Sequence, residues 1–156
     1  MIVVFVIALA LLARALFFNQ SMSELPFFNA NNNPTNLRPS STSAWLGQVG
    51  ISRNNFSIFK SPEWGFRAAH INLENYLRNG YTTIERIINR WAPPSDNNPT
   101  SQYIENVYAW TKIPRGKVIS RADLPLLLSA ITRQETSKVV SPQQIKKAIK
   151  SVGYEI

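Results

Sequence analysis

The clearest pattern of apolar and polar residues runs from Ser61 to Gly80. Ser61 is a suitable N-cap, and Pro62 suits the first position of a helix because its missing N–H would have no partner there. Gly80 can end such a helix in a left-handed conformation. Apolar residues at helical spacing form a predicted buried stripe: Ala68, Ala69, Ile71, Leu73, Tyr76 and Leu77. This segment predicts one amphipathic helix at the centre of the fold.

Four further helices are predicted by the same pattern. One covers residues 83–91 and stops at two prolines, since proline cannot donate a backbone hydrogen bond. Another covers about residues 101–111. The last two begin at capping signals in residues 120–123 and 141–144. The globular part of the chain is therefore predicted to be mostly α-helical.

The region before residue 60 lacks helical spacing. Residues 19–43 are polar and rich in Asn, Pro and Ser, which favours turns and extended backbone. Two short apolar stretches, residues 44–47 and 56–59, favour a small β element, with Gly47 and Gly50 at the turn between them. We therefore expect a minor β or loop-rich section ahead of the helices.

The first 18 residues are apolar except for Arg14. Their length is close to the lower limit of about 17 residues for a membrane-spanning helix. A secretory signal is one alternative, because Ala13 and Ala15 resemble a cleavage site, but the segment lacks a basic start. A core helix is another, although the segment is apolar on every side. The preferred interpretation is one N-terminal transmembrane anchor.

Composition narrows the chemistry. The chain has no Cys and one His, His70, so disulfides, thiolate metal sites and multi-histidine metal sites are excluded. His70 has apolar neighbours on a helix and is more typical of a core or interface histidine than of a general base. The sequence has no Gly-rich phosphate loop, Ser-His-Asp pattern or metal-ligand spacing. We therefore predict no cofactor and no metal.

Positive charge is concentrated near the C-terminus. The formal net charge is +8, and residues 112–150 contain nine basic residues but only two acidic ones, Asp123 and Glu135. Such a surface favours polyanions, including nucleic acid, anionic lipid headgroups and bacterial envelope polymers. A solvated basic surface without a dedicated partner is the alternative.

Four short motifs follow one another along the chain. Residues 31–38 read NNNPTNLR, residues 59–68 FKSPEWGFRA, residues 87–98 IINRWAPPSDNN and residues 130–136 AITRQET. In this order they resemble the motifs NNNPGNIR, SPExGxRA, RWAPPxEN and AIIxxENG of a family of small phage virion proteins and lysins. The chain departs from them at Thr35, in place of Gly, at Asp96, in place of Glu, and at residues 136–137, in place of Asn-Gly.

The resemblance implies an activity on bacterial cell walls. Residues 127–135 are similar to a helix end of lytic transglycosylases and goose-type lysozymes, in which one glutamate protonates the glycosidic oxygen. Glu135 is thus the first candidate catalytic residue, provided that burial raises its pKa. In the alternative interpretation, Glu135 is exposed and paired with Arg133 or Lys138.

Glu63 is the second candidate catalytic residue. It would lie in the first turn of the central helix, where the helix dipole favours the ionised form and suits a base. A favourable first-turn charge is its alternative role. Asn, Tyr and Trp side chains could line a carbohydrate cleft, although turn chemistry also explains the asparagines. The candidate substrate-binding residues are Asn31, Asn33, Asn36, Trp64, Asn97, Asn98 and Tyr103.

Together these observations predict a mostly α fold, with a lysozyme-like α+β fold as the alternative. A transmembrane anchor over residues 1–18 and a linker over residues 19–29 would precede one helical globular domain over residues 30–156. The resemblance and the anchor together suggest a tailless phage that carries a lipid bilayer inside its capsid. The protein would lie in that bilayer, and in the host inner membrane during assembly.

The predicted function is that of a membrane-anchored virion protein whose lysozyme-like or transglycosylase-like domain acts on peptidoglycan as the phage enters or leaves the host. A non-catalytic virion protein that links the viral membrane to the capsid or to DNA is the alternative. The expected partners are the lipid bilayer, peptidoglycan and other virion proteins, with DNA bound through the basic C-terminal region without sequence readout.

Overall fold

Five helices follow a small β-hairpin in the computed structural model, which describes residues 25–156. The two antiparallel strands are β1 (Gln48–Ile51) and β2 (Ser57–Phe59). The helices are α1 (Pro62–Arg78), α2 (Ile84–Trp91), α3 (Thr100–Thr111), α4 (Leu124–Thr136) and α5 (Pro142–Ser151), with short 3-10 turns at Pro94–Asp96 and Arg121–Asp123. The five helices predicted from apolar spacing are confirmed.

Local capping explains where several helices begin. The Ser141 hydroxyl accepts a hydrogen bond from the Gln144 amide, and the Gln144 side chain accepts one from the Ser141 amide. This is the predicted capping box of α5. The predicted box of residues 120–123 also forms, but it starts the 3-10 turn that precedes α4. Ser61 lies at the N-cap of α1 without a side-chain capping bond.

One hydrophobic core connects the helices, and α1 lies at its centre. Helix α1 packs against α4, α5 and β2, while α4 also contacts α3. Because each helix turns its apolar stripe inward, these stripes meet in a single interior. The fully buried side chains include Phe66, Leu73, Ile84, Ile87, Ile88, Leu127, Leu128, Ile131, Ile145 and Ile149. This packing fixes the loops that precede α1 relative to the end of α4.

The only histidine, predicted as a core or interface residue, is fully buried in α1. Burial lowers the pKa of His70 to about 4, although the nearby Glu74 carboxylate opposes this shift. His70 packs against Tyr154, whose hydroxyl donates a hydrogen bond to Glu74 at 2.6 Å. Arg121 also donates to Glu74 through its Nε. These contacts hold the C-terminal residues against α1.

The β element is confirmed only in part. Strand β2 lies within the predicted stretch, whereas residues 44–47 precede β1 instead of forming it. The hairpin turn lies at residues 52–56, where Asn55 has a φ of 59°, and not at Gly47 or Gly50. The prediction of the first strand was wrong because β1 leaves Val49 and Ile51 more than half exposed. Its apolar residues therefore do not mark a core-facing strand.

The predicted fold class also requires a correction. Among residues 25–156, no helix is both long and apolar enough to cross a membrane. The longest of them, α1, has 17 residues and carries Glu63, Arg67, Glu74 and Arg78, whereas a spanning helix needs about 20 predominantly apolar residues. The predicted fold class, with a transmembrane helix beside the domain, is therefore wrong for residues 25–156. These residues form five amphipathic helices and a small sheet. Residues 1–18, assigned to the anchor, lie outside the described residues.

A loop at residues 29–37, which we call the Asn loop, packs directly on α1 at Gly65. A Cβ atom at Gly65 would lie 2.7 Å from the Asn32 carbonyl oxygen and 2.8 Å from Pro34 Cδ. Backbone and proline atoms cannot rotate away from such a contact. The glycine of the second motif is therefore required for the close approach of the loop that carries the first motif.

Replacing Gly65 by Ala is expected to destabilise the protein by about 1 to 2 kcal/mol, because overpacking outweighs the gain in helix propensity. The free energy of unfolding in urea measures this effect. Gly50→Ala is the matched control, since its Cβ would meet only the Ile58 side chain, at 3.6 Å. Equal stability of the two variants would contradict close packing of the Asn loop.

Candidate functional site

A polar cleft of about 490 Å³ opens between the Asn loop, α1 and the connection from α2 to α3. Glu135, in the last turn of α4, lies in this cleft. The other lining residues include Asn36, Arg38, Asn72, Asn75, Tyr76, Arg90, Trp91, Asp96 and Asn98. The cleft therefore combines amide groups, aromatic rings and one carboxyl group from the end of a core helix.

Two neutral donors hold the Glu135 side chain. The Asn36 side-chain amide donates a hydrogen bond to Oε2 at 2.9 Å, and the Tyr103 hydroxyl donates to Oε1 at 3.0 Å. Arg133 instead lies over the Trp110 ring, at 4.3 Å from its centroid. Within residues 25–156, Glu135 forms no ion pair. Glu135 is therefore not exposed and paired with Arg133 or Lys138, as the alternative interpretation required.

The surroundings of Glu135 raise its affinity for a proton. Burial raises the pKa of Glu135 above its ordinary value, and the neighbouring donor groups of Asn36, Tyr103 and Trp91 offset only part of this shift. Burial, together with the adjacent Glu135, raises the pKa of the Tyr103 hydroxyl well above its usual value. Tyr103 therefore stays a neutral donor while Glu135 retains its proton at higher pH than an exposed glutamate.

Removal of the Tyr103 hydroxyl is expected to raise the pKa of Glu135 further, because the ionised carboxylate loses a donor. The change is Tyr103→Phe, and the measurement is an NMR titration of the side-chain carboxyl carbon. Tyr108→Phe is the control, since its hydroxyl donates to Glu85 instead. An unchanged or lower pKa of Glu135 in Tyr103→Phe would show that this hydrogen bond does not form in solution.

The Asn loop is built by its own asparagine side chains. Asn33 is fully buried, and its amide donates to the carbonyl oxygens of Leu37 and Ser57, both at 2.9 Å. Its side-chain oxygen accepts a hydrogen bond from the Leu37 amide at 2.8 Å. Asn36 adopts a left-handed φ of 49°, which asparagine tolerates better than most residues. As a result, Asn33 braces the loop while Asn36 is directed at Glu135.

The remaining predicted binding residues are distributed unevenly. Asn98 lines the cleft and donates to the Pro93 carbonyl at 3.1 Å. Asn31 contributes its carbonyl oxygen to a hydrogen bond with the Phe59 amide. Asn97 is exposed and ends the 3-10 turn at Pro94–Asp96 in a left-handed conformation. The structure therefore brings Asn36, Asn98 and Tyr103 together with Glu135, but not Asn31, Asn33 or Asn97.

The second predicted catalytic residue lies away from the cleft. Glu63 occupies the first turn of α1, and the described residues that line the cleft do not include it or Trp64. Trp64 packs on Gly47, where a Cβ atom would lie 2.4 Å from the indole ring. Arg67 stacks on the same ring at 5.9 Å. Trp64 thus contacts the protein's own backbone and a neighbouring guanidinium group.

Several cleft residues had no role in the sequence-based site. Asn72, Asn75 and Tyr76 share one face of α1 because of their spacing of three or four residues. Tyr76 was predicted to belong to the buried stripe. The polar residues Asn72 and Asn75 next to it are the feature of the sequence that indicates a face of α1 open to solvent. Arg38 and Asp96 pair at 3.9 Å between two loops distant in sequence, which no local pattern indicates.

The chain is similar in sequence to a known phage protein. It is 35% identical over 122 residues to Protein P5 of Pseudoalteromonas phage PM2, a match that covers 75% of this chain and 76% of Protein P5. The chain belongs to the Protein P5 family. No family model matches it. The resemblance to lysozymes and lytic transglycosylases is a separate matter and stays a prediction.

In this Protein P5 relative, the two carboxyl groups of the cleft differ sharply. Glu135 is partly buried against neutral donors, whereas the Asp96 side chain is 45% exposed and faces the Arg38 guanidinium. Most glycosidases use two carboxyl groups, one protonated and one ionised. With its raised pKa, Glu135 resembles the protonated member of such a pair.

Proposed function

We propose that this member of the Protein P5 family is a phage virion protein whose cleft binds peptidoglycan and cleaves its glycan strand. The observation that carries the proposal is Glu135, a carboxyl group with a raised pKa in an open polar cleft. A general acid needs both properties, since it must hold a proton near neutral pH and reach a substrate oxygen.

In the proposed reaction, the protonated Glu135 donates its proton to the glycosidic oxygen as the bond from that oxygen to the sugar's anomeric carbon breaks. The leaving sugar departs as a neutral alcohol, and Glu135 becomes a carboxylate. Asn36 and Tyr103 already donate to both carboxylate oxygens, so they stabilise this ionised form without rearrangement. Glu135 then takes a proton from the hydroxyl group that attacks the anomeric carbon, either of water or of the sugar itself.

The remaining cleft residues suit a polymer of N-acetylated sugars. The side chains of Asn72, Asn75 and Asn98 offer amide donors and acceptors for acetamido groups. The rings of Tyr76 and Trp91 provide apolar surface for sugar rings. Peptidoglycan presents acetamido sugars together with the carboxylates of its peptides, and it is therefore the substrate that we propose.

The test is the incubation of full-length protein with purified peptidoglycan of a Gram-negative host, followed by mass spectrometry of the released products. We expect soluble fragments with newly formed sugar ends, either reducing or internally cyclised. Intact glycan strands after prolonged incubation across mildly acidic to neutral pH would overturn the lytic proposal.

A second candidate function rests on the exposed lysines of α5. Lys146, Lys147 and Lys150 face solvent, and of these only Lys150 has an acidic partner among the described residues, Glu155 at 3.3 Å. These lysines suit a non-catalytic virion protein that binds DNA phosphates and contacts other virion proteins. Retention of DNA that weakens steeply with salt, together with no cleavage of peptidoglycan, would favour this function.

A further inference from the structure

A second groove lies beside the cleft, and no residue of the Asn loop lines it. It has a volume of about 520 Å³ and runs between the end of α1 and the outer face of α2. Its lining includes Asn79, Tyr81, Glu85, Arg86, Asn89 and Arg90. Arg90 lines both the groove and the cleft that contains Glu135. The two depressions therefore meet at Arg90, and together we call them the track.

A row of aromatic rings follows the same track. Trp91 and Tyr76, which line the cleft, lie 6.4 Å apart between ring centroids. Tyr76 and Tyr81, which lines the groove, lie 5.9 Å apart. Since the Trp91 side chain also approaches Glu135, the row extends from the candidate acid into the groove. Rings packed against one another in this way form an apolar surface on which sugar rings can lie.

The groove carries a positive charge balance. Glu85 accepts a hydrogen bond from the Tyr108 hydroxyl and lies 3.8 Å from Arg115, so a cation outside the groove lining offsets its charge. The exposed Arg86 and Arg90 form no ion pair within residues 25–156. Arg86 instead donates to the Gly80 carbonyl at 3.3 Å. The groove therefore favours a ligand with anionic substituents.

We infer that the groove binds further units of the polymer whose glycosidic bond lies at Glu135, namely acetamido sugars that bear carboxylate-containing substituents. This inference rests on the proposed function. A strand that lies along the row of rings meets Arg90 between its cleft portion and its groove portion. Arg86 and Asn89 contact only the units beyond Arg90. The track makes the protein selective for polymeric over short substrates.

The experiment compares two ligands on full-length Glu135→Gln protein, which keeps the strand intact. One ligand is a single disaccharide–peptide unit of peptidoglycan, and the other is a purified strand of several units. Isothermal titration calorimetry gives both affinities. We expect the long strand to bind about tenfold more tightly, a difference that calorimetry resolves readily. Adding Arg86→Gln and Asn89→Ala, both exposed positions, should bring the ratio of affinities close to one.

Lys146→Gln is the matched control. Like Arg86→Gln, it removes one exposed positive charge from a helix, but Lys146 lies on α5, away from the groove lining. We expect it to keep the tenfold ratio. A ratio that survives Arg86→Gln with Asn89→Ala, or a ratio near one before these changes, would overturn the groove while single-unit binding still supports the cleft. If neither ligand binds and the wild type leaves peptidoglycan intact, the proposed function fails and the groove inference fails with it.

Discussion

Glu135→Gln is expected to slow peptidoglycan cleavage by about 10²- to 10⁴-fold, the usual contribution of a general acid. Gln is nearly isosteric with Glu and still offers an oxygen to one of the two donors, Asn36 or Tyr103, but it has no proton to transfer. The measurement is the rate of release of sugar ends, with circular dichroism to verify the fold. We expect Glu63→Gln, outside the cleft, to cleave at nearly the wild-type rate.

The two variants distinguish the candidate carboxylates. If Glu63→Gln lost activity while Glu135→Gln kept it, the assignment of the acid would be wrong. The wild-type rate should also fall as the pH rises through the raised pKa of Glu135, because the acid form is then lost. This fall on the alkaline side should move to higher pH in Tyr103→Phe, in line with the expected NMR titration.

The same pKa shift predicts a cost to stability. Since folding raises the pKa of Glu135, the native state binds the proton more tightly than the unfolded chain. The cost is absent below the pKa of the unfolded chain and grows as the pH rises through the pKa of the folded state. The stability of Glu135→Gln relative to that of the wild type should therefore be higher at pH 7 than at pH 4. Thermal unfolding at both pH values measures the difference.

Asn33→Ala is expected to give the largest loss of stability among these variants, about 3 kcal/mol or more. The substitution removes the Asn33 partner of the Leu37 amide and of the Ser57 carbonyl oxygen, whereas the Leu37 carbonyl oxygen still accepts from the Ser57 amide. Each such group costs about 1 to 3 kcal/mol when it is left unsatisfied. Urea unfolding measures the loss. Peptidoglycan cleavage should fall as well, because the loop carries Asn36.

Asn31→Ala is the control for Asn33→Ala. The Asn31 side chain forms no hydrogen bond within residues 25–156, and only its backbone bonds to Phe59 and Asn29. We expect its stability to stay within about 0.5 kcal/mol of the wild type. If the two alanine variants proved equally stable, the role of Asn33 in bracing the loop would be refuted.

Helices could be predicted from the sequence because their signals are local. The capping boxes at residues 120–123 and 141–144 and the proline at the start of α1 each act within one turn of helix. The hairpin was misplaced because its first strand packs little of its apolar surface. Strand position there depends on pairing with β2 and not on an inward-facing pattern.

The site was less accessible to sequence reasoning than the helices. Glu135 was selected because residues 127–135 resemble a helix end of lytic transglycosylases and goose-type lysozymes. The residues that surround its carboxyl group, however, come from distant parts of the chain. Asn36 lies 99 residues before it in sequence, and Tyr103 lies 32 residues before it. Periodicity within single helices contains no information on such contacts. The same limit explains why Asn36 and Asn33 could not be separated into a site residue and a bracing residue.

The wide separation of Asn36 and Glu135 has a consequence during synthesis. The Asn loop is made before any of the five helices, whereas the Glu135 carboxyl group is added 99 residues after Asn36, which donates to it. Until α4 packs against α1 and α3, Glu135 is solvated and titrates as an ordinary glutamate. A nascent or truncated chain therefore lacks the raised proton affinity that this carboxyl group has in the folded protein. The proton affinity of the site is a property of the finished fold.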